Sequence, residues 1–132
     1  MKIGKRFGIL LVLVFINAVI AFAQQSGMQY ECVNGTANGQ NITHLINFVF
    51  FRSYEINGWH VYISYRDGSG ENIMLINPRP HQWDRDFTVY TLTHVNGVAF
   101  SDAEALISTR GLNGFIMQLN FNPGGNLTYL LN

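Results

Sequence analysis

Phe50-Phe51-Arg52-Ser53-Tyr54-Glu55-Ile56-Asn57-Gly58-Trp59-His60-Val61-Tyr62-Ile63-Ser64-Tyr65 sets two aromatic, β-branched runs on either side of an Asn-Gly pair. A type I′ turn requires φ > 0 at both central positions, which Asn and Gly tolerate, so the spacing predicts an antiparallel hairpin with Asn57-Gly58 at its tip. In that register Ile56 opposes Trp59, Tyr54 opposes Val61, Arg52 opposes Ile63 and Phe50 opposes Tyr65 on an apolar face. Glu55 with His60, Ser53 with Tyr62 and Phe51 with Ser64 make the other face mixed, as a half-buried antiparallel sheet requires. Arg52 interrupts the apolar row and is expected at a bulge or near a sheet end, where its head reaches water.

The flanking segments repeat the pattern. Asp67-Gly68-Ser69-Gly70-Glu71 alternates oxygen ligands with glycine but lacks the EF-hand offsets, so it reads as a hairpin turn rather than a calcium loop. Phe87 to Val95, Asn96-Gly97 and Val98 to Phe100 predict a further hairpin, with either Phe87/Val89/Val95 or Tyr90/Leu92 facing inward. At the C-terminal end a loop of Pro123-Gly124-Gly125 opposes Phe121 to Leu127 and Leu119 to Tyr129, which keeps both apolar rows together. Met28 to Val33 and Ile73 to Ile76 are short strands, and Ile42 to Phe51, apolar on both faces, reads as a central one. Ser101, Glu104, Arg110 and Gly111 carry the punctuation of a short helix over about 102–110, marginal alone and requiring a sheet to pack on. The expected fold is mainly β: an antiparallel sheet, small barrel or sandwich of about seven strands with that one helix.

The N-terminal segment has a different character. Lys2, Lys5 and Arg6 precede an almost wholly apolar run from Phe7 to Phe22, and Ala21-Phe22-Ala23 fits signal-peptidase cleavage, so residues 1–23 are expected to be a signal peptide and 24–132 a single β-rich domain. An apolar run of this length also permits an uncleaved anchor, the one case in which a membrane is a partner. Without the leader, the basic residues are Arg52, Arg66, Arg79, Arg85 and Arg110, with no Lys, against eight acids. That balance argues against nucleic acid, whose binding is dominated by phosphate neutralisation. Lysine-dependent chemistry is excluded from such a domain.

Cys32 is the only cysteine, so it cannot form an internal disulfide; it is expected to be a buried small hydrophobe, or else to bridge two copies. Glycine signatures of phosphate and dinucleotide loops are absent, as is a nucleophile elbow. Asn77 to Asp86, with two prolines and no periodicity, predicts a loop. In it Trp83, flanked by Arg79 and Arg85 and close to His81, is the candidate binding surface, because Trp and Arg dominate interface energetics. The bland alternative folds Trp83 back onto the core. His81, Asp84 and Asp86 offer ligand types for a metal, but three such residues within one short loop are common by chance, and no cofactor is expected.

Tyr30-x-Cys32-x-x-Gly35 followed by the Gly68-Ser69-Gly70 turn resembles the opening and loop of the membrane-bound lysozyme inhibitors of bacterial envelopes, a resemblance that implies a small β-barrel. It covers a few residues, and that family's paired cysteines and the aromatic residue after its Ser-Gly loop have no counterpart here. The absence of disulfides favours a bacterial envelope over a eukaryotic secretory route for the sequons at Asn34, Asn41 and Asn126.

The expected function is that of an exported, non-enzymatic binding protein, periplasmic or secreted. It would contact a protein or cell-envelope macromolecule, or a second copy of itself through Cys32 or sheet edges, since an aromatic-rich chain with little charge has few guards against strand addition. The alternatives are a small-ligand carrier in which Trp59, Tyr54 and Tyr65 line a barrel cavity, and a small metal-dependent hydrolase built on His81, Asp84 and Asp86.

Overall fold

A computed structural model describes residues 27–108 and 114–132. The expected leader, 1–23, and Arg110 and Gly111 lie outside the described residues. Eleven strands form one antiparallel sheet: β1 (Gly27–Tyr30), β2 (Cys32–Ala37), β3 (Gln40–Asn41), β4 (Ile46–Tyr54), β5 (Gly58–Tyr65), β6 (Gly70–Pro80), β7 (Phe87–Val95), β8 (Val98–Ala99), β9 (Ala103–Ser108), β10 (Phe115–Phe121) and β11 (Gly125–Leu131). The spatial order is β1-β4-β5-β6-β7-β9-β10-β11-β2-β3, with β8 paired to β7. The only helical element among the described residues is a 3-10 turn, Thr43–Leu45. No described helix is long and apolar enough to cross a membrane.

The sheet is an open, curled half-barrel. Consecutive strands β1 and β2 lie near opposite ends of the strand order, β1 on β4 and β2 on β11, with Glu31 alone between them. Glu31 therefore spans the gap, exchanging backbone hydrogen bonds with Asn132 at 3.0 and 2.9 Å. The concave side is a continuous apolar core. Val49 and Phe51 of β4, Val61 and Ile63 of β5, Ile73 and Leu75 of β6, Leu92 of β7, Ala105 of β9, Met117 and Leu119 of β10 and Tyr129 and Leu131 of β11 are all buried in it.

The first hairpin forms, but three residues out of the predicted register. Tyr54 opposes Gly58, Arg52 opposes His60, Phe51 opposes Val61 and Val49 opposes Ile63, around a loop of Glu55, Ile56 and Asn57. Positive φ falls on Glu55 (54°) and Asn57 (61°), not on Gly58. Both facts have one cause. This register puts Val49, Phe51, Val61 and Ile63 together on the concave face and moves Arg52 to the convex face, which removes the exception the Asn-Gly reading had to tolerate. Gly58 is needed for a different reason: a Cβ there would lie 2.5 Å from the carbonyl oxygens of both Tyr54 and Leu75.

The predicted helix is a strand. Residues 103–108 are β9, paired with β7 on one side and β10 on the other. Helical spacing placed Leu106 and Ile107 on one face, but the residues that go inward are Ala105 and Ile107, a period of two. A single short helix is marginal in water, whereas a strand in this place has both backbone edges satisfied.

The segment from Asn77 to Pro80 is likewise not loop. After a bulge between Ile76 and Arg79, with Asn77 at φ 61°, β6 resumes and pairs Arg79 with Val89 and Pro80 with Thr88. Proline is tolerated beside such a bulge. The C-terminal hairpin has the three-residue loop expected, shifted to Asn122-Pro123-Gly124, so that Phe121 opposes Gly125 and Leu119 opposes Leu127. The apolar rows still coincide. The Asn96-Gly97 turn forms as read, with φ of 52° and 81°. Tyr90 and Leu92 are the inward pair of β7; a register shift before His94 then turns Val95 toward the core as well.

Candidate functional site

Antiparallel pairing gathers several chain segments at one end of the half-barrel. The β4–β5 turn lies there, as does the β6–β7 turn, since Pro80 opposes Thr88. The start of β1 joins them through Gly27 opposite Arg52, and the end of β11 through Leu131 opposite Phe115. Inside this end is an apolar cavity of about 200 Å³. Its walls are aromatic: Tyr30 from β1, Phe51 from β4, Trp59 from β5, Tyr90 from β7 and Phe115 from β10. Met28, Thr88 and Ile107 complete it.

The rings hold one another edge to face. Tyr30 meets Phe115 at 4.7 Å and Phe51 at 5.8 Å, Phe51 meets Phe115 at 5.3 Å and Trp59 at 5.9 Å, with interplanar angles between 74° and 90°. Such pairs prefer this geometry because each ring has a negative face and a positive edge. Trp59 Nε1 donates to Tyr90 Oη at 3.1 Å, which satisfies the indole and fixes its plane.

Trp59, Thr88 and Tyr90 also line a second, more polar cleft of about 450 Å³, which adjoins the cavity at the same end. There the remaining lining is Ser53, Glu55, Asn57, Gly58 and Pro78. Glu55 is the one charged residue in it among the described residues. The site is thus an apolar, aromatic floor with a polar mouth. Of the rings expected to line a cavity, Trp59 does so; Tyr54 does not, and Tyr65 lies at the opposite end, donating to Glu71 Oε1 at 2.6 Å.

The residues of the predicted binding loop are only partly brought together. Trp83 is 82% exposed at the tip of the β6–β7 turn, so it is not folded onto the core, and Arg85 is exposed beside it. His81 builds the turn: its Nδ1 accepts the backbone N–H of Asp84 at 2.9 Å and of Trp83 at 3.2 Å. Arg79 belongs to β6 and is held by Thr91 Oγ1 at 3.1 Å and by Glu104, 3.9 Å away. Asp84 Oδ1 accepts the backbone N–H of Asp86. Among the described residues no group of three or more His, Cys, Asp and Glu side chains is placed to hold a metal ion.

Cys32 is a free, buried thiol, 7% exposed, as a small core hydrophobe should be. Burial pushes its pKa up, Glu31 adds to that rise, and a backbone hydrogen bond at Asn34 opposes it. A bridge to another copy through this sulfur would require β2 to open. The sheet's terminal strands, β1 and β3, are four and two residues long, so the edges offered for strand addition are short. The Gly68-Ser69-Gly70 turn sits at the far end, where Asp67 Oδ1 accepts from both Ser69 N and Ser69 Oγ, at 2.9 and 2.6 Å. Asp67 takes part in a depression there with His44, Leu45, Tyr65, Arg66 and Ser69.

Compared with protein-family models, with curated proteins and with solved structures, the chain matches none.

Proposed function

We propose that this protein is an exported, non-enzymatic domain that binds a small, ring-sized apolar molecule in the aromatic cavity at the turn-bearing end of its half-barrel. The supporting observation is the cavity itself: concave, apolar, walled by five aromatic side chains from five strands, and adjoined by a more polar cleft. Ligand sites have this composition, with few polar groups placed to orient the guest. An apolar space of 150 Å³ accepts benzene, so about 200 Å³ suits a single ring with a short substituent. A saturable, one-to-one titration with a single-ring fluorescent dye, 4-(dimethylamino)benzonitrile, lost in Thr88→Phe, is the expected result. Unsaturable binding, or binding indifferent to Thr88→Phe, contradicts the reading.

A second reading, contact with a macromolecule through the same end, is favoured by Trp83 and Ile56. They are 82% and 86% exposed, one on each of the two turns that flank the mouth. Large apolar side chains this exposed are characteristic of contact surfaces when they cluster. On this reading Trp83→Ala weakens capture of an envelope partner by tenfold or more, on the order of an interface hot spot. Unchanged capture removes it.

A further inference from the structure

The cavity and its mouth together specify more than an apolar guest. Among the described residues the inner walls carry no formal charge, whereas the adjoining cleft carries one, the carboxylate of Glu55, flanked by Ser53 and Asn57. The two spaces meet at Trp59, Thr88 and Tyr90, so a molecule whose ring lies against Phe51 and Phe115 directs its substituent past the Trp59–Tyr90 hydrogen bond toward Glu55.

We propose that the site takes an aryl-alkyl amine, its ring in the aromatic cavity and its ammonium in the mouth beside Glu55. Three features favour a cation over a neutral or anionic head. Among the described residues the lining of the mouth holds an acid and no base. The nearest guanidinium along β6, Arg79, is engaged on the outer side by Thr91 and Glu104. Aromatic faces attract a cation through their quadrupole, so Trp59 and Tyr90 at the junction add to the carboxylate rather than oppose it. Glu55 is exposed on the three-residue β4–β5 turn, its backbone in the left-handed region at φ 54°.

This assignment rests on the proposed cavity, and the test separates the two. 2-Phenylethylamine, ethylbenzene and 3-phenylpropanoate share a ring and differ in head charge. Each is titrated against the full chain by dye displacement at low ionic strength, with the wild type and Glu55→Gln. The amine should bind about fivefold more tightly than ethylbenzene, as one solvent-exposed carboxylate at contact distance allows, and the anion more weakly than either. Glu55→Gln should narrow the spread among the three, weakening the amine by at least twofold and strengthening the anion while leaving ethylbenzene unchanged, and added salt should act on the wild type in the same direction. Equal affinity for the three probes in the wild type, or a preference for the anion, overturns the amine assignment and leaves the cavity standing. Failure of all three to displace the dye overturns both.

Discussion

His60 is buried on β5 between Arg52 of β4 and Met74 of β6, and its Nε2 lies 2.8 Å from Asn72 Oδ1. Burial holds its pKa below the ordinary imidazole value; the Asn72 hydrogen bond works against that, and the charge of Arg52 opposite it works with it. The unfolded chain therefore takes up a proton at a higher pH than the folded one, so stability is full above the ordinary histidine pKa and falls as pH drops through it. Melting temperature should decline between about pH 7 and about pH 5, and His60→Gln should flatten that decline. An unchanged slope in the variant would show that other groups carry it. Tyr129 presents the opposite case. Its hydroxyl is fully buried with no hydrogen-bond partner, and burial raises its pKa far above the phenol range, with Glu71 adding to the rise. The Tyr65 hydroxyl, which donates to Glu71 Oε1, lies close enough to oppose part of that rise. Removing an unsatisfied buried hydroxyl is neutral or favourable, so Tyr129→Phe should leave stability unchanged or raise it by about 1 kcal/mol in urea denaturation. A loss of comparable size would mean that the hydroxyl is satisfied in solution. Among the buried groups that titrate, only Cys32 was readable as buried from sequence, because a free cysteine behaves as a small hydrophobe. Nothing local distinguishes His60 from His94, because burial is decided by which strands lie alongside.

Among the elements, three Asn-Gly pairs show how far turn chemistry can be trusted. Asn96-Gly97 forms the two-residue turn its sequence predicts, and Asn38-Gly39, with φ of 50° and 83°, makes the same turn between β2 and β3. Asn57-Gly58 does not, because the core face of β4 and β5 sets the register there and the turn adapts. The two glycines should therefore respond differently. At Gly97 an added Cβ meets nothing within 4 Å, so Gly97→Ala should cost about 1–2 kcal/mol, the penalty of a left-handed backbone. At Gly58 the Cβ meets two backbone carbonyls at 2.5 Å, and Gly58→Ala should cost about 1–3 kcal/mol through displacement of β6, with weakened dye binding at the adjacent mouth. Equal dye affinity in the two variants would contradict the close-packing role of Gly58. The helix predicted over 102–110 failed for the same reason as the Asn57-Gly58 turn: Ser101 and Glu104 are capping residues, but Ala103, Ala105 and Ile107 alternate, and two neighbouring strands settle the choice.

For the whole molecule, the mainly β antiparallel fold was legible in the alternation of apolar residues and in the turn signals. The site was not. Its walls come from residues 28 to 115, on strands that are neighbours only after the sheet has curled, and no spacing in the chain relates Tyr30 to Phe115. Phe51 is where the two scales join, since it packs in the core and against three other rings of the cavity. Phe51→Ala should destabilise the domain by about 3–5 kcal/mol and enlarge the cavity, so that at temperatures where it remains folded it accepts a bicyclic guest that the wild type refuses. Destabilisation without that broadening would separate the ring's structural role from the site. The central claim is tested most directly by solution NMR of the full chain with a ring-sized apolar probe such as ethylbenzene. Intermolecular NOEs from the probe to Trp59, Tyr90 and Phe115 are predicted; NOEs confined to Trp83 and Ile56, or none, would contradict the account.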